Sequence, residues 1–213
     1  EAQVTAVLRP SADRVPAPCP VYGRCGGCAV QHQDHGAQVA DKQALLLEKL
    51  ARLGGVTPGR VLPALSGSAW GYRSRARLGV RFVPDKGGVL VGFRERHNAR
   101  VAVMDACPVL DTRLSALIAP LRELIAGFAA PARLPQIEVA ATDDETVLVF
   151  RHLDPLPEAD RDALAAFAGE HGLRVFLQPA GPDSVHPLPP TTDAPLHYTL
   201  PDFGLRLAFG PLD

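Results

Sequence analysis

The 213 residues include only one methionine, one tryptophan and four cysteines, and aromatic residues make up 6 %. Lysine is nearly absent, with three against nineteen arginines. No apolar run approaches the roughly 18 residues a membrane helix needs, so a membrane partner is not expected. The opening Glu-Ala-Gln-Val lacks the basic-then-apolar pattern of a secretory signal. The sole methionine is Met104, and the chain reads as a piece of a longer protein. Four cysteines in a chain this long do not make a small disulfide-stapled domain. What is present is 46 % hydrophobic residues, enough to bury an ordinary core.

The few cysteines are concentrated. Cys19, Cys25 and Cys28 lie in one short run spaced C-x5-C-x2-C, and Cys107 follows after 78 intervening residues. Tetrahedral zinc usually draws its ligands from two short-spaced pairs. Four-iron clusters commonly take three thiolates from one tight loop and a fourth from a remote segment. The three-plus-one spacing favours a [4Fe-4S] cluster on Cys19, Cys25, Cys28 and Cys107, with zinc or disulfides as the alternatives. Pro follows both Cys19 and Cys107, fixing the backbone beside the ligand. Gly26 and Gly27 leave room for backbone amides to approach inorganic sulfide. His32 and His35 follow the loop and read as capping or solvated residues, with metal ligation as the other reading.

The net charge of −1 conceals a division. Residues 1–100 carry 15 Lys+Arg against 7 Asp+Glu, a balance of +8, and residues 101–213 carry 7 against 16, a balance of −9. An anionic partner is expected on the basic half. There Arg73 to Phe82 alternates strictly: Ala76, Leu78, Val80 and Phe82 point one way, and Arg73, Arg75, Arg77 and Arg81 the other. With Arg94 and Arg96 these arginines suit phosphate contacts, because guanidinium groups pair bidentately with phosphate oxygens. The competing reading is the solvated face of an ordinary strand. Tyr72 and Phe93 lie nearby and either stack on bases or belong to the core.

The patterning predicts an α+β fold: an antiparallel or mixed sheet with flanking helices and an N-terminal cluster loop. A helix is predicted over residues 36–53, capped by Asp34 and stopped by Gly54-Gly55. A hairpin follows over 73–93 with its turn at 84–88, and then a strand over 100–104 that delivers Cys107. Further along, helices are predicted over 111–128 and 157–170 and strands over 137–141, 147–151 and 173–177. Residues 179–195, with six prolines, read as a surface loop. A last strand, 205–209, has no visible partner.

The blocks Cys19-x5-Cys25-Gly-Gly-Cys28-Ala-Val-Gln31-His32, Tyr72-Arg-x-Arg-Ala-Arg-Leu78, Val91-Gly-Phe-Arg94 and Cys107-Pro108 together resemble, in content and order, the RNA (uracil-5)-methyltransferases. The bacterial branch that methylates 23S ribosomal RNA is the nearest. The resemblance implies a small RNA-binding barrel, then a cluster-bearing central domain, then a Rossmann-type methyltransferase domain. On that plan residues 1–15 are the remnant of the barrel, 16–110 the cluster and arginine-hairpin region, and 111–213 the second part of the central domain.

The family adds a cysteine thiolate to uracil carbon 6, methylates carbon 5 from S-adenosylmethionine and removes the carbon-5 proton with a carboxylate. None of these groups is matched here. The resemblance therefore implies a catalytically inactive recognition fragment of a cytoplasmic, monomeric enzyme acting on 23S RNA. Transfer RNA as substrate, an electron-transfer module and a zinc-stabilised RNA-binding domain remain as alternatives. A radical S-adenosylmethionine enzyme would space its cysteines differently.

Overall fold

The computed structural model describes residues 4–212; residues 1–3 of the expected barrel remnant, and Asp213, lie outside them. Helix α1, His35–Arg52, begins at Asp34, whose carboxylate accepts the Ala37 N–H at 3.2 Å. That bond satisfies one of the orphan amides of the first turn. Before α1, residues 13–15 hydrogen-bond to residues 32–34.

Strand β1, Arg75–Val83, folds back on β2, Gly88–Gly92, through a tight turn at Pro84–Lys86 with Gly87 left-handed. Ala76, Leu78 and Val80 are buried as the alternation predicts, but Phe82 is 46 % exposed, its ring beside Gly88 at the hairpin tip. Residues 100–104 do not form the expected strand. One bridge, Arg94 to Val101, with bonds from the Ala102 N–H to the Phe93 carbonyl and from the Glu95 N–H to the Arg100 carbonyl, holds this segment across the hairpin.

The helix expected over 111–128 is two, α2 at Thr112–Ala116 and α3 at Ile118–Ala126. Pro120 has no N–H to return to the carbonyl of residue 116, so the chain breaks at Leu117 and restarts. Strands β3, Gln136–Ala141, and β4, Thr146–Arg151, meet through an acidic turn, Asp143-Asp144-Glu145, and helix α4, Glu158–His171, leads to β5, Leu173–Gln178. The proline-rich stretch is not all loop: β6, His186–Pro187, pairs with β5, and Leu188 is buried beside it. The last strand, β8 at Leu205–Phe209, has a partner after all in β7, Leu196–Leu200. The register pairs Leu196 with Phe209 and Leu200 with Leu205.

The main sheet runs β2-β1-β3-β4-β5-β6 and passes unbroken from the first hundred residues into the second. Every neighbouring pair is antiparallel except β4 and β5, which are parallel with α4 as the crossover. The α+β architecture with a mainly antiparallel sheet agrees with the expectation. One sheet face, with Leu78, Ile137, Leu148 and Phe150, packs on Leu114, Ile118, Leu121 and Leu164 of the helices. On the opposite face Ala140, Val147, Val149 and Phe176 meet Leu196 of β7. Among the described residues no helix is long and apolar enough to cross a membrane.

Candidate functional site

The loop bearing three of the thiols is a chain of tight turns. The Tyr22 N–H donates to the Cys19 carbonyl at 3.0 Å, and the Cys25 N–H to the Val21 carbonyl at 2.9 Å. Val21 is buried and anchors the loop. From there the loop is stitched to the end of the hairpin: Gly26 N–H donates to the Arg94 carbonyl and Arg96 N–H to the Arg24 carbonyl, both at 2.8 Å. A Cβ on Gly26 would lie 3.1 Å from that Arg94 oxygen, and one on Gly27 would lie 3.5 Å from Cys25 Sγ. At Gly26, then, a side chain would crowd the hairpin backbone, whereas at Gly27 it would meet Cys25 Sγ at ordinary contact distance.

Cys107 reaches the same place from the other side. Its N–H donates to Ser115 Oγ on α2 at 2.9 Å. The residues after it pair with the approach to β1, through Gly71 N–H to the Pro108 carbonyl and Arg73 N–H to the Val109 carbonyl. Cys19, Cys25 and Cys107 are 8 %, 8 % and 6 % exposed, and Cys28 is half-buried.

Burial pushes the Cys25 and Cys107 thiols above the ordinary cysteine range, and the neighbouring Cys28 and Cys19 sulfurs push both further. Working the other way are N–H groups aimed at sulfur, from Gly27 to Cys25 and from Val109 and Leu110 to Cys107, together with the Arg96 charge near Cys25. Cys19 and Cys28 thus lie within electrostatic reach of both Cys25 and Cys107. No disulfide joins them. Among the described residues no three His, Cys, Asp or Glu side chains are grouped to hold a single metal ion. His32 is held by Tyr22, whose hydroxyl contacts His32 Nδ1 and donates to the Ala29 carbonyl at 2.6 Å, and His35 is exposed at the start of α1.

The six arginines are not one row. Arg75, Arg77 and Arg81 do share a face of β1, with Arg73 just before the strand, but it is the face that the β7–β8 hairpin partly covers. Arg75 is half-buried with its guanidinium 6.0 Å from the Phe209 ring centroid. Arg77 pairs with Glu138 on β3 at 2.9 Å. Arg73 lies over Phe93 at 5.4 Å, and its Nε donates to the Arg75 carbonyl. Arg96 turns inward, donating to the Cys28 carbonyl and lying 5.9 Å from the Tyr22 ring centroid. Of these six, only Arg81 and Arg94 leave their guanidinium groups exposed and without a partner among the described residues.

Phe93 is buried and belongs to the core, whereas Tyr72 is 62 % exposed. Sequence reasoning missed Glu138, whose position opposite Arg77 depends on strand register. It also missed Ser115, which nothing in the local pattern marks as a partner of Cys107.

No family model matches the chain. Over all of its length it is 54 % identical to a protein of Bordetella pertussis described as 23S rRNA (uracil(1939)-C(5))-methyltransferase RlmD, and spans 46 % of that relative. It is 50 % identical, over its whole length, to one of the same description from Aromatoleum aromaticum, of which it spans 49 %. Among solved structures, 96 % of the chain superposes on 47 % of a Pyrococcus abyssi tRNA (uracil-54, C5)-methyltransferase in complex with S-adenosyl-L-homocysteine, at a TM-score of 0.61 and 20 % identity. The chain therefore spans about half the length of the relatives it matches, and over that half it belongs to the RNA (uracil-C5)-methyltransferase family.

Proposed function

We propose that this chain is the RNA-recognition region of an S-adenosylmethionine-dependent 23S rRNA (uracil-C5)-methyltransferase, built around a [4Fe-4S] cluster. Cys19, Cys25, Cys28 and Cys107 hold the cluster, which serves as a structural crosslink. The observation that carries this is that Cys107, with 78 residues between it and Cys28, is buried in one core cluster with Cys19 and Cys25, against which Cys28 packs. The surroundings fit such a group. Backbone N–H groups point at the sulfurs of Cys25 and Cys107, and the Arg96 guanidinium lies near Cys25; these favour thiolate, although burial, the larger effect, leaves both thiols raised. Binding there ties the loop to the α2 end of the sheet and converts ligand affinity into folding free energy.

RNA lies along the arginine hairpin, with Arg81 and Arg94 as direct phosphate contacts and Arg73 beside them. Arg75, Arg77 and Arg96 act mainly by ordering the surface. Ribosomal rather than transfer RNA is preferred, because the relatives described as ribosomal enzymes are 50–54 % identical and the transfer-RNA enzyme 20 %. Methyl transfer itself is performed by residues outside these 213, and the protein works as a cytoplasmic monomer. Residues 16–110 carry the cluster and the hairpin, and residues 111–213 complete the sheet on which they rest.

The test is anaerobic purification with iron, sulfide and zinc counted on one sample. About four irons per chain and a broad thiolate-to-iron absorption band support the reading. One zinc per chain with no colour leaves an RNA-binding zinc domain in its place.

A further inference from the structure

Helix α1 is 18 residues long and has no buried residue. That is unusual in physical terms, because an isolated helix of this length is marginal in water and most helical stability comes from packing an apolar face. Much of its apolar surface is uncovered: Leu45, Leu46 and, at the C-cap, Leu53 are 50 %, 58 % and 73 % exposed, and Val39, Leu47 and Leu50 are only half-buried. The segment that returns from the helix to the sheet shows no regular structure over residues 55–70 and leaves Leu62 and Leu65 exposed as well. Helix and segment together border a groove of about 1240 Å³ that reaches Cys28 and Trp70. Contiguous apolar surface of this kind marks an interaction site.

We infer that this face is the docking surface for the half of the polypeptide that the relatives possess and this chain does not span. The relatives match all of this chain with only 46–49 % of their own length, so about as much chain again belongs with it. Leucines, not arginines, dominate the face. The charged residues along α1 are mixed in sign, Asp41 and Glu48 against Lys42, Lys49 and Arg52. Neither property suits a nucleic-acid backbone, which selects for clustered positive charge. Both suit a permanent protein interface with an apolar centre and a polar rim. The inference rests on family membership and on the exposed leucines; it does not depend on the cluster or on RNA binding.

Hydrogen exchange followed by mass spectrometry, on the chain alone and on the long polypeptide that contains it, tests this. In the long form the amides of residues 44–53 and 58–66 are expected to exchange roughly tenfold or more slowly than in the chain alone. Leu46→Asp and Leu65→Asp, both on the uncovered face, are expected to leave the unfolding midpoint of the chain alone unchanged. In the long form they raise exchange across the same segments and make the two halves separable by limited proteolysis. Equal exchange in both forms overturns the inference. So does protection that appears only when RNA is added, or only as the chain alone is concentrated into dimers, since the occupant is then RNA or a second copy.

Discussion

Gly92 faces Gly79 across the β1–β2 ladder, and the segment leading to Cys107 crosses the hairpin over that pair. A Cβ on Gly92 would come within 2.8 Å of the Ala102 carbonyl oxygen and 3.0 Å of Met104 Cγ, and one on Gly79 within 3.1 Å of Val101 Cγ2. Any side chain at these positions lifts the crossing segment, and Cys107 is five residues beyond Ala102. The crossing also divides the arginine face of β1, separating Arg81 from Arg75 and Arg77.

Gly92→Ala is therefore expected to destabilise the fold by about 1–3 kcal/mol, the usual range for overpacking a filled site, and to lower iron bound per chain. Gly59→Ala, where a Cβ would meet nothing within 4 Å, is the control. Chemical denaturation with an iron count on each variant checks both. A Gly92→Ala protein as stable and as iron-rich as the parent would show that the crossing does not position Cys107.

Asp111 caps α2 through the Arg113 N–H at 2.9 Å and pairs with the Arg113 guanidinium. The side-chain hydrogen bonds from Arg113 hold its carboxyl below the usual carboxylate range, against a smaller opposing effect of burial. A carboxyl depressed in the folded state stabilises the fold at pH values above its unfolded value, near 3.9. That contribution is lost as pH falls from there through the depressed folded value. Asp111→Asn keeps the cap, since Asn is as good an N-cap as Asp, and is expected to cost at most about 1 kcal/mol at neutral pH through the lost pair with Arg113, and to flatten the fall of stability below about pH 4. Urea denaturation from pH 3 to 7 reads both; an unchanged acid slope would assign that slope to other carboxyls.

Cys107→Ser removes the remote thiol while leaving the three-cysteine loop intact. If the remote thiol completes the cluster site, bound iron falls well below the parent's and the iron-loaded protein loses stability by several kcal/mol, the scale of a lost structural metal site. Exchange of the 19–28 amides should rise at the same time, because the loop keeps only its hydrogen bonds to residues 94–96. A variant that still carries a full four-iron cluster would remove Cys107 from the ligand set.

The parts of this structure legible in the sequence are those that local physics decides. The Asp34 cap, the alternation through Ala76, Leu78 and Val80, and the turn before Gly88 depend on residues close in the chain, and the fold contains them. Phe82 has the right parity and yet is exposed, because its fate depends on where the hairpin tip lies, not on the pattern. The partner of Phe209 is not legible because β7 carries mixed polar and apolar residues, His197-Tyr198-Thr199, with no clean alternation. The arginine row reads as uniform for a similar reason. That Glu138 lies opposite Arg77, and Phe209 beside Arg75, is a fact of strand register and of a hairpin closing from a distant part of the chain.

On the proposed reading, the same register decides which arginines would contact RNA. Removing one guanidinium that pairs with a phosphate should reduce the salt dependence of binding by about one unit of slope. The double variant Arg81→Ala with Arg94→Ala is therefore expected to weaken binding to a fragment of 23S RNA and to lower the slope by roughly two. Arg77→Ala is expected to leave the slope nearly unchanged, since Glu138 already neutralises that guanidinium; it costs stability instead, by at most about 1 kcal/mol for so exposed a pair. Binding isotherms at several salt concentrations separate the two outcomes. Should Arg77→Ala lower the slope while the double variant does not, RNA lies over the β3 side of the face, and the free guanidinium groups at the hairpin are merely solvated.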